Sequence, residues 1–170
     1  MPVSEVHHVA MSVSDLERSA TFYEQGLGYR RTLRAEVKGD DIERSLGLPP
    51  GTVGQVQYLQ GPSQIGQLEL IQWSTGEGRP PAQDHAVYGP FLLSFQVPKD
   101  ELREVFDRLV ALGGTPLSEP IRSVLENYGP IDAVAIRDPD GALLELVALP
   151  TRDEIVAFRA AGDAAGAESA

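Results

Sequence analysis

The chain has 170 residues and a formal net charge of −11, from 14 basic and 25 acidic side chains. This acidic balance repels phosphate backbones and anionic lipid surfaces, so we expect neither nucleic acid nor membrane as a partner. The absence of cysteine excludes disulfides, iron–sulfur clusters, thiolate zinc sites and cysteine nucleophiles. No window is apolar enough for a membrane span and no basic start precedes an apolar run, so the sequence predicts a soluble, cytoplasmic protein.

The first half of the chain predicts a strand, a helix and three further strands. Residues 6–13 alternate in part and are β-prone, and Ser14 and Glu17 then have the spacing of a helix capping box. The helix that follows is amphipathic and ends at Gly28. The later strands and a short helical turn are predicted at residues 30–37, 40–46 (the turn), 53–59 and 67–73.

The second half of the chain predicts the same order of elements. Residues 75–89 are rich in glycine, proline and charge, and we interpret them as a linker. The elements after it are a strand, a helix and two strands, predicted at residues 91–97, 98–112, 133–137 and 143–149. Asp138-Pro139-Asp140-Gly141 is a typical turn sequence. Thr151 and Glu154 predict the capping box of a last helix, whose final residues, 162–170, we expect to fray.

The two halves indicate an internal duplication of about 70 residues. The strand sequences Leu68-Glu69-Leu70 and Leu144-Glu145-Leu146 fall at the same place in each half. The alternative is a pair of unrelated α+β halves that share only their order of elements. The predicted organisation is a first module at 4–74, a linker at 75–89, a second module at 90–150, and a C-terminal helix with a frayed tail at 151–170.

Three side chains on the faces turned away from the helices suggest a metal site. Glu69 and Glu145 occupy duplicated positions. If the leucines on either side of each glutamate face the helix, both glutamates face away from it, and His8 lies on the same face as Glu69. A carboxylate within an apolar strand is costly to bury unless it is paired or binds a metal. Imidazole and carboxylate ligands suit Mn, Fe, Co, Ni, Zn or Mg. The alternative is a solvent-exposed glutamate on each sheet and a structural histidine.

Both ends of the chain resemble the vicinal oxygen chelate superfamily. The stretch from His8 to Leu16 is similar to its opening, and Asp138-Pro139-Asp140-Gly141 followed by Leu144-Glu145-Leu146 is similar to its closing signature. The resemblance, over residues 4–149, implies an α+β fold of two tandem βαβββ modules. In that family the modules form a cup-shaped mixed sheet around a divalent metal, with the helices outside. It also implies a homodimer.

The resemblance implies the metal ligands His8, Glu69 and Glu145, taken from the first and last strands of the modules. The fourth family position falls on Leu92, and leucine cannot bind a metal. Three ligands leave coordination positions for substrate oxygens, an arrangement suited to bidentate chelation. His85 is a further imidazole, but it lies in the linker and off the strand register.

The function that we expect is a divalent-metal-dependent isomerase, epimerase or lyase that moves a proton next to a chelated carbonyl or enolate of a small-molecule substrate. Glu145 is our first candidate for the base and Glu69 the second. The residues that we expect to line the cup and contact substrate are Ser12, Gln57, Leu92, Ser94 and Gln96. Arg30, Arg31 and Arg34 either hold an anionic substrate tail or form a solvated strand edge, and Trp73 is either a core or a rim residue.

Two other functions remain open from the sequence. The first is a metal-free small-molecule binding protein of the bleomycin-resistance type, with which Leu92 is compatible. The second is an Fe(II) dioxygenase, although a single family-position histidine departs from the two-histidine, one-carboxylate ligand set of the extradiol enzymes.

Overall fold

The computed structural model describes residues 5–63, 65–75, 88–126 and 128–168, with the backbone alone over 162–168. The chain divides into two compact units. Unit 1 comprises Met1–Ala82 together with Asp138–Gly141, and unit 2 comprises Gln83–Arg137 together with Ala142–Ala170. In the described part of the chain, no helix is long and apolar enough to cross a membrane.

Unit 1 is a four-stranded sheet with a helix packed on one face. Its elements are β1 (His8–Ser12), α1 (Leu16–Leu27), β2 (Arg30–Val37), α2 (Asp40–Leu46), β3 (Gly54–Gln60) and β4 (Gln67–Trp73). The strand order is β1-β4-β3-β2, with β1 parallel to β4 and the other pairs antiparallel. The core lies between α1 and the sheet, where Tyr23, Leu59 and Leu70 are fully buried.

Unit 2 has the same plan with one additional strand, five in place of four, and a C-terminal helix. Its elements are β5 (Leu93–Gln96), α3 (Leu102–Ala111), β6 (Thr115–Pro116), β7 (Ile121–Leu125), β8 (Gly129–Arg137), β9 (Leu143–Ala148) and α4 (Arg152–Glu168). The order is β5-β9-β8-β6, and β7 also pairs with β8. Leu109, Ile136, Leu144 and Leu146 are fully buried between α3 and the sheet.

The strand register supports the internal duplication. In unit 1, Ala10 of β1 is the parallel partner of Glu69, and in unit 2 Ser94 of β5 is the parallel partner of Glu145. Because His8 lies two residues before Ala10, the matching position in unit 2 is Leu92, as the sequence predicts. The α+β fold and its strand–helix–strands order in both halves are confirmed.

Short strands and helix ends are where the structure departs from the predictions. The sequence analysis missed β6 and β7, because every residue of β7 is exposed and no alternating burial marks it. The capping box at Thr151 is confirmed, since the Glu154 amide donates to Thr151 Oγ1 and the Thr151 amide donates to Glu154 Oε2. The backbone of α4 is helical as far as Glu168, further than expected.

The capping box predicted at Ser14 is wrong by one residue. Asp15 is the N-cap, and its carboxylate accepts the amide of Arg18. Ser14 donates its hydroxyl to Asp140 Oδ1 at 2.5 Å instead. Burial alone would raise the pKa of Asp140, but hydrogen bonds from Ser14, Ser19 and Arg18 outweigh burial and lower that pKa.

The predicted turn Asp138–Gly141 is confirmed and belongs to unit 1. The Gly141 amide donates to the Asp138 carbonyl at 2.9 Å, and Gly141 has a φ of 92°, a conformation that favours glycine. Asp138 is buried and accepts the Tyr23 hydroxyl at 2.8 Å. The turn therefore has a structural role beside α1.

Candidate functional site

Each sheet has one face covered by its helix and one face turned away from it, which we call the distal face. In unit 1, Leu68 and Leu70 are buried on the helix side, where Gln72 also accepts the amide of Leu16 at the start of α1. Strand alternation therefore places Glu69 on the distal face. The register adds His8 from β1 and Tyr58 from β3 to that face.

His8 and Glu69 form the central pair of the unit 1 distal face. His8 Nε2 lies 3.2 Å from Glu69 Oε2, with 36% of the His8 side chain exposed and 11% of the Glu69 side chain. The other ring nitrogen, His8 Nδ1, lies 2.9 Å from His7 Nδ1. An imidazole with one nitrogen on a carboxylate and the other on a neighbouring ring has its orientation fixed from both sides.

Tyr58 holds Glu69 from the neighbouring strand. Tyr58 and Glu69 are directly opposed in the β3–β4 pair, and the Tyr58 ring contacts His8 edge-on with ring centroids 5.8 Å apart. Burial, then the hydrogen bond to Glu69 and its negative charge, raises the pKa of Tyr58 to about 12. The phenol therefore stays protonated at neutral pH and donates to the carboxylate.

The donor set of this pair fits a divalent cation. Ligand atoms at about 2.0–2.2 Å from one ion, at tetrahedral or octahedral angles, are about 2.8–3.6 Å apart. The separation of 3.2 Å between His8 Nε2 and Glu69 Oε2 lies within that range. Within the described residues, no three His, Cys, Asp or Glu side chains form a group able to hold a metal. Unit 1 therefore supplies two candidate ligands.

The distal face of unit 2 carries Glu145, the third predicted ligand. Ser94 Oγ donates to Glu145 Oε2 at 2.6 Å, across the parallel β5–β9 pair. The flanking residues Leu144 and Leu146 are fully buried on the helix side. Leu92 precedes β5 and is partly buried. In unit 2 the serine hydroxyl therefore donates to Glu145, whereas in unit 1 the His8 imidazole pairs with Glu69.

The structure distributes the predicted substrate-contacting residues over both faces. Ser12 lies on the distal face of unit 1, where it accepts the indole N–H of Trp73 at 3.0 Å. Gln96 lies beside Ser94 on the distal face of unit 2, opposite Val147. Gln57 lies on the helix side instead, opposite Leu70, and its amide donates to the carbonyls of Leu33 and Tyr58. Gln57 is therefore a buried structural residue, and the placement predicted for it does not hold.

Two of the three arginines considered either for an anionic substrate tail or for a solvated strand edge pair with acidic side chains of α1. Arg31 forms ion pairs with Glu17 and Glu24 of α1, and Arg34 also pairs with Glu17. Both therefore clamp β2 to the helix on the side opposite Glu69. Trp73 lies half-buried on the distal face, and His85 falls outside the described residues.

Tyr58 is the site residue that the sequence analysis missed. Its alternation within β3 was visible, but its pairing with Glu69 depends on the β3–β4 register, which the connection between the strands sets. If the β3–β4 register had been predicted correctly, Tyr58 would have been placed directly opposite Glu69 and could have been predicted as its hydrogen-bond donor.

Comparisons with known proteins identify the family. The sequence model of the Glyoxalase/Bleomycin resistance protein/Dioxygenase superfamily matches residues 5–146, and the chain belongs to this superfamily. A lactoylglutathione lyase-like protein, terB, from Aspergillus terreus is 30% identical over 158 residues, which cover 88% of this chain and 77% of the fungal protein.

Solved structures show the same fold. A glyoxalase family protein from Bacillus cereus superposes with a TM-score of 0.74 at 20% identity, covering 89% of this chain and 97% of the other. A glyoxylase/bleomycin resistance protein/dioxygenase domain from Frankia superposes with a TM-score of 0.60 at 23% identity, covering 88% and 100%. At these identities the similarity defines the fold alone.

Proposed function

We propose that this protein is a divalent-metal-dependent isomerase, epimerase or lyase that moves a proton next to a chelated carbonyl or enolate. The observation that carries the proposal is the His8–Glu69 pair, whose donor atoms lie 3.2 Å apart on the distal face of unit 1. The similarity to a lactoylglutathione lyase-like protein supports chemistry of this class.

His8 and Glu69 would hold the metal. When bound, a divalent cation polarises a carbonyl oxygen and stabilises an enolate. Tyr58 keeps one hydrogen bond on Glu69, and the His7 contact fixes the His8 ring, so both donors are oriented before any ion binds.

Glu145 is the base in this proposal. Ser94 donates to Oε2 and thereby orients the carboxylate, leaving Oε1 to accept a proton from the substrate carbon next to the carbonyl. The C–H electron pair moves into the enolate, and Glu145 then returns the proton to carbon. Glu69, held by Tyr58 and His8, is less available and is our second candidate for the base.

Deuterium exchange tests this role. S-Lactoylglutathione, suggested by the name of the fungal relative, has a C–H bond next to a thioester carbonyl and serves as the first probe in D₂O, followed by 2-hydroxy thioesters. We expect exchange in metal-loaded protein and a loss of about 10²–10⁴-fold in Glu145→Gln. Glu104→Gln, an exposed glutamate of α3, is the matched control and should exchange normally. Exchange that survives Glu145→Gln would remove Glu145 from the role of base.

A metal-free binding protein is the second candidate, and Leu92 favours it. Leucine at the position that matches His8 removes an imidazole and adds an apolar side chain, as a binding pocket for an aromatic ligand would require. Tight binding of an aromatic antibiotic by chelator-treated protein, with no change on adding divalent ions, would support this function over the enzyme.

A further inference from the structure

Arg137 lies on the distal face of unit 2 and has no role in the function proposed above. It is the last residue of β8 and pairs with Leu143 of β9. The preceding residue, Ile136, is fully buried on the helix side, so Arg137 points to the other face. Glu145 follows Leu143 by two residues on that same face.

The guanidinium of Arg137 is incompletely satisfied. Its Nη1 is buried and makes no hydrogen bond, and among the described residues it is the one buried side-chain nitrogen or oxygen in that state. Most other described arginines have carboxylate partners, as Arg18 has Asp140 and Arg122 has Glu154. The exceptions besides Arg137 are Arg30, Arg152 and Arg159, which are all exposed to solvent.

An arginine cannot escape this cost by losing its proton. A guanidinium stays charged in proteins, and a charged nitrogen that is buried without a hydrogen-bond partner destabilises a fold. Glu145 is not its ion-pair partner: Ser94 donates to that carboxylate, and no ion pair joins Glu145 to Arg137 within the described residues. The arrangement indicates that the partner of Arg137 is a ligand.

We propose that Arg137 binds a carboxylate group of the substrate. A guanidinium presents parallel N–H donors that match the two oxygens of a carboxylate. Diagonal neighbours on one face of a paired sheet are about 7–8 Å apart, so a carboxylate at Arg137 lies within a few bonds of a carbon at Glu145. The substrate class is then a small organic acid with its reacting carbon close to the acid group. The assignment of the reacting carbon rests on the proposed function, whereas carboxylate binding does not.

The overall charge makes a specific anchor necessary. At a net charge of −11 the general field of the protein repels anions, so an anionic substrate needs a local cation to bind. Arg31 and Arg34 are committed to α1 and do not supply it.

Thermal unfolding of the full chain tests the proposal with propionate, compared with propionamide at equal ionic strength. Propionate has a single carboxylate and no neighbouring oxygen, so its binding does not require chelation by a metal. We expect saturating propionate to raise the Tm of the wild type by about 2–4 °C and propionamide to leave it unchanged.

The variant Arg137→Met should abolish the response to propionate and, without ligand, should raise the Tm by about 2–4 °C, since the buried and unsatisfied Nη1 of a partly buried arginine is replaced by an apolar group. Arg159→Met, at an exposed arginine of α4, should keep both the wild-type Tm and the wild-type response. These opposite effects of one substitution distinguish a ligand site from a structural arginine.

Equal responses to propionate and propionamide would overturn the proposal, as would a response retained in Arg137→Met. A lower ligand-free Tm in Arg137→Met would also overturn it, because it would show that the guanidinium stabilises the fold. If propionate binds through Arg137 and deuterium exchange occurs neither in the thioesters nor in a small 2-hydroxy acid such as lactate, the carboxylate site stands and the proposed reaction falls. If deuterium exchange occurs but propionate does not raise the Tm, the proposed reaction stands and the carboxylate site at Arg137 falls.

Discussion

The two units share one order of paired strands but carry different side chains on the distal face of the sheet. In unit 1, Glu69 is engaged by an imidazole and a phenol, from His8 and Tyr58. In unit 2, the equivalent Glu145 is engaged by the Ser94 hydroxyl, and Leu92 stands where the register would place the imidazole. The glutamate therefore occupies the same position in both units, whereas the side chains that contact it differ.

The side chains of the two distal faces suit different chemical roles in the proposed function. The unit 1 face carries a pair of donor atoms at the spacing of metal ligands. The unit 2 face carries a carboxylate with one hydrogen bond and an arginine with an unsatisfied buried nitrogen. Within the proposed function, the candidate metal ligands therefore lie on the unit 1 face, and the candidate base and Arg137 lie on the unit 2 face.

The largest predicted change comes from making unit 2 resemble unit 1. Leu92→His places an imidazole at the position equivalent to His8, so we expect the affinity for Zn²⁺ or Ni²⁺ to rise by about tenfold to a hundredfold in titration calorimetry. Leu92→Gln, which adds a polar group of weak affinity for these metals, is the control. Equal affinity in Leu92→His and wild type would break the proposed equivalence of the two positions.

Removing the phenol from unit 1 should have a smaller effect. Tyr58→Phe deletes the donor that orients Glu69, and we expect a loss of about tenfold in metal affinity and about 1 kcal/mol in the free energy of unfolding. Tyr128→Phe, at a tyrosine that is 41% exposed, should change neither. An unchanged metal affinity in Tyr58→Phe would show that Glu69 needs no such support.

The same variant makes a pH prediction whose sign follows from the raised pKa. The unfolded chain ionises Tyr58 near pH 10, whereas the folded protein does so at about 12. The stability that this group contributes is therefore fully present below about pH 10 and is lost as pH rises toward 12. Denaturant unfolding between pH 9 and 12 should show a shallower loss in Tyr58→Phe than in wild type, and identical slopes would contradict the assignment.

The smallest effect concerns an exposed ion cluster in unit 2. Hydrogen bonds from Lys99, from the Thr151 amide and from Arg122 lower the pKa of Glu154 to about 2. The stabilisation by this carboxylate is therefore present above about pH 4.5 and is lost as pH falls through 2. In Glu154→Gln the acid-induced loss of stability should be shallower, and salt should weaken the difference from wild type. Acid unfolding curves that coincide would show that the cluster contributes nothing measurable.

Much of the fold was predictable because local signals were strong. The bounds predicted for β2, α2 and β4 agree with the structure. The buried residues of α3, which are Leu102, Val105, Phe106 and Leu109, recur at helical spacing, so the sequence predicts that helix as well. The strand β7 could not be predicted, since its residues are all exposed and its pairing is set by β8.

Strand alternation was enough to predict which side chains of the candidate site share a face. Alternation placed His8 and Glu69 on one face, and the repeat placed Glu145 at the equivalent position. It could not place Gln57 correctly, because the face of a strand depends on its register with a neighbour. The unsatisfied Nη1 of Arg137 depends on burial in three dimensions, and no sequence pattern marks it.

Elemental analysis of protein purified without chelator or affinity tag measures whether His8 and Glu69 bind a metal. We expect a near-stoichiometric divalent metal in wild type, its loss in His8→Ala, and its retention in Glu36→Gln, which alters an exposed carboxylate of β2. Wild-type protein that contains no divalent metal and takes up none when it is added would rule out a metal site at the His8–Glu69 pair.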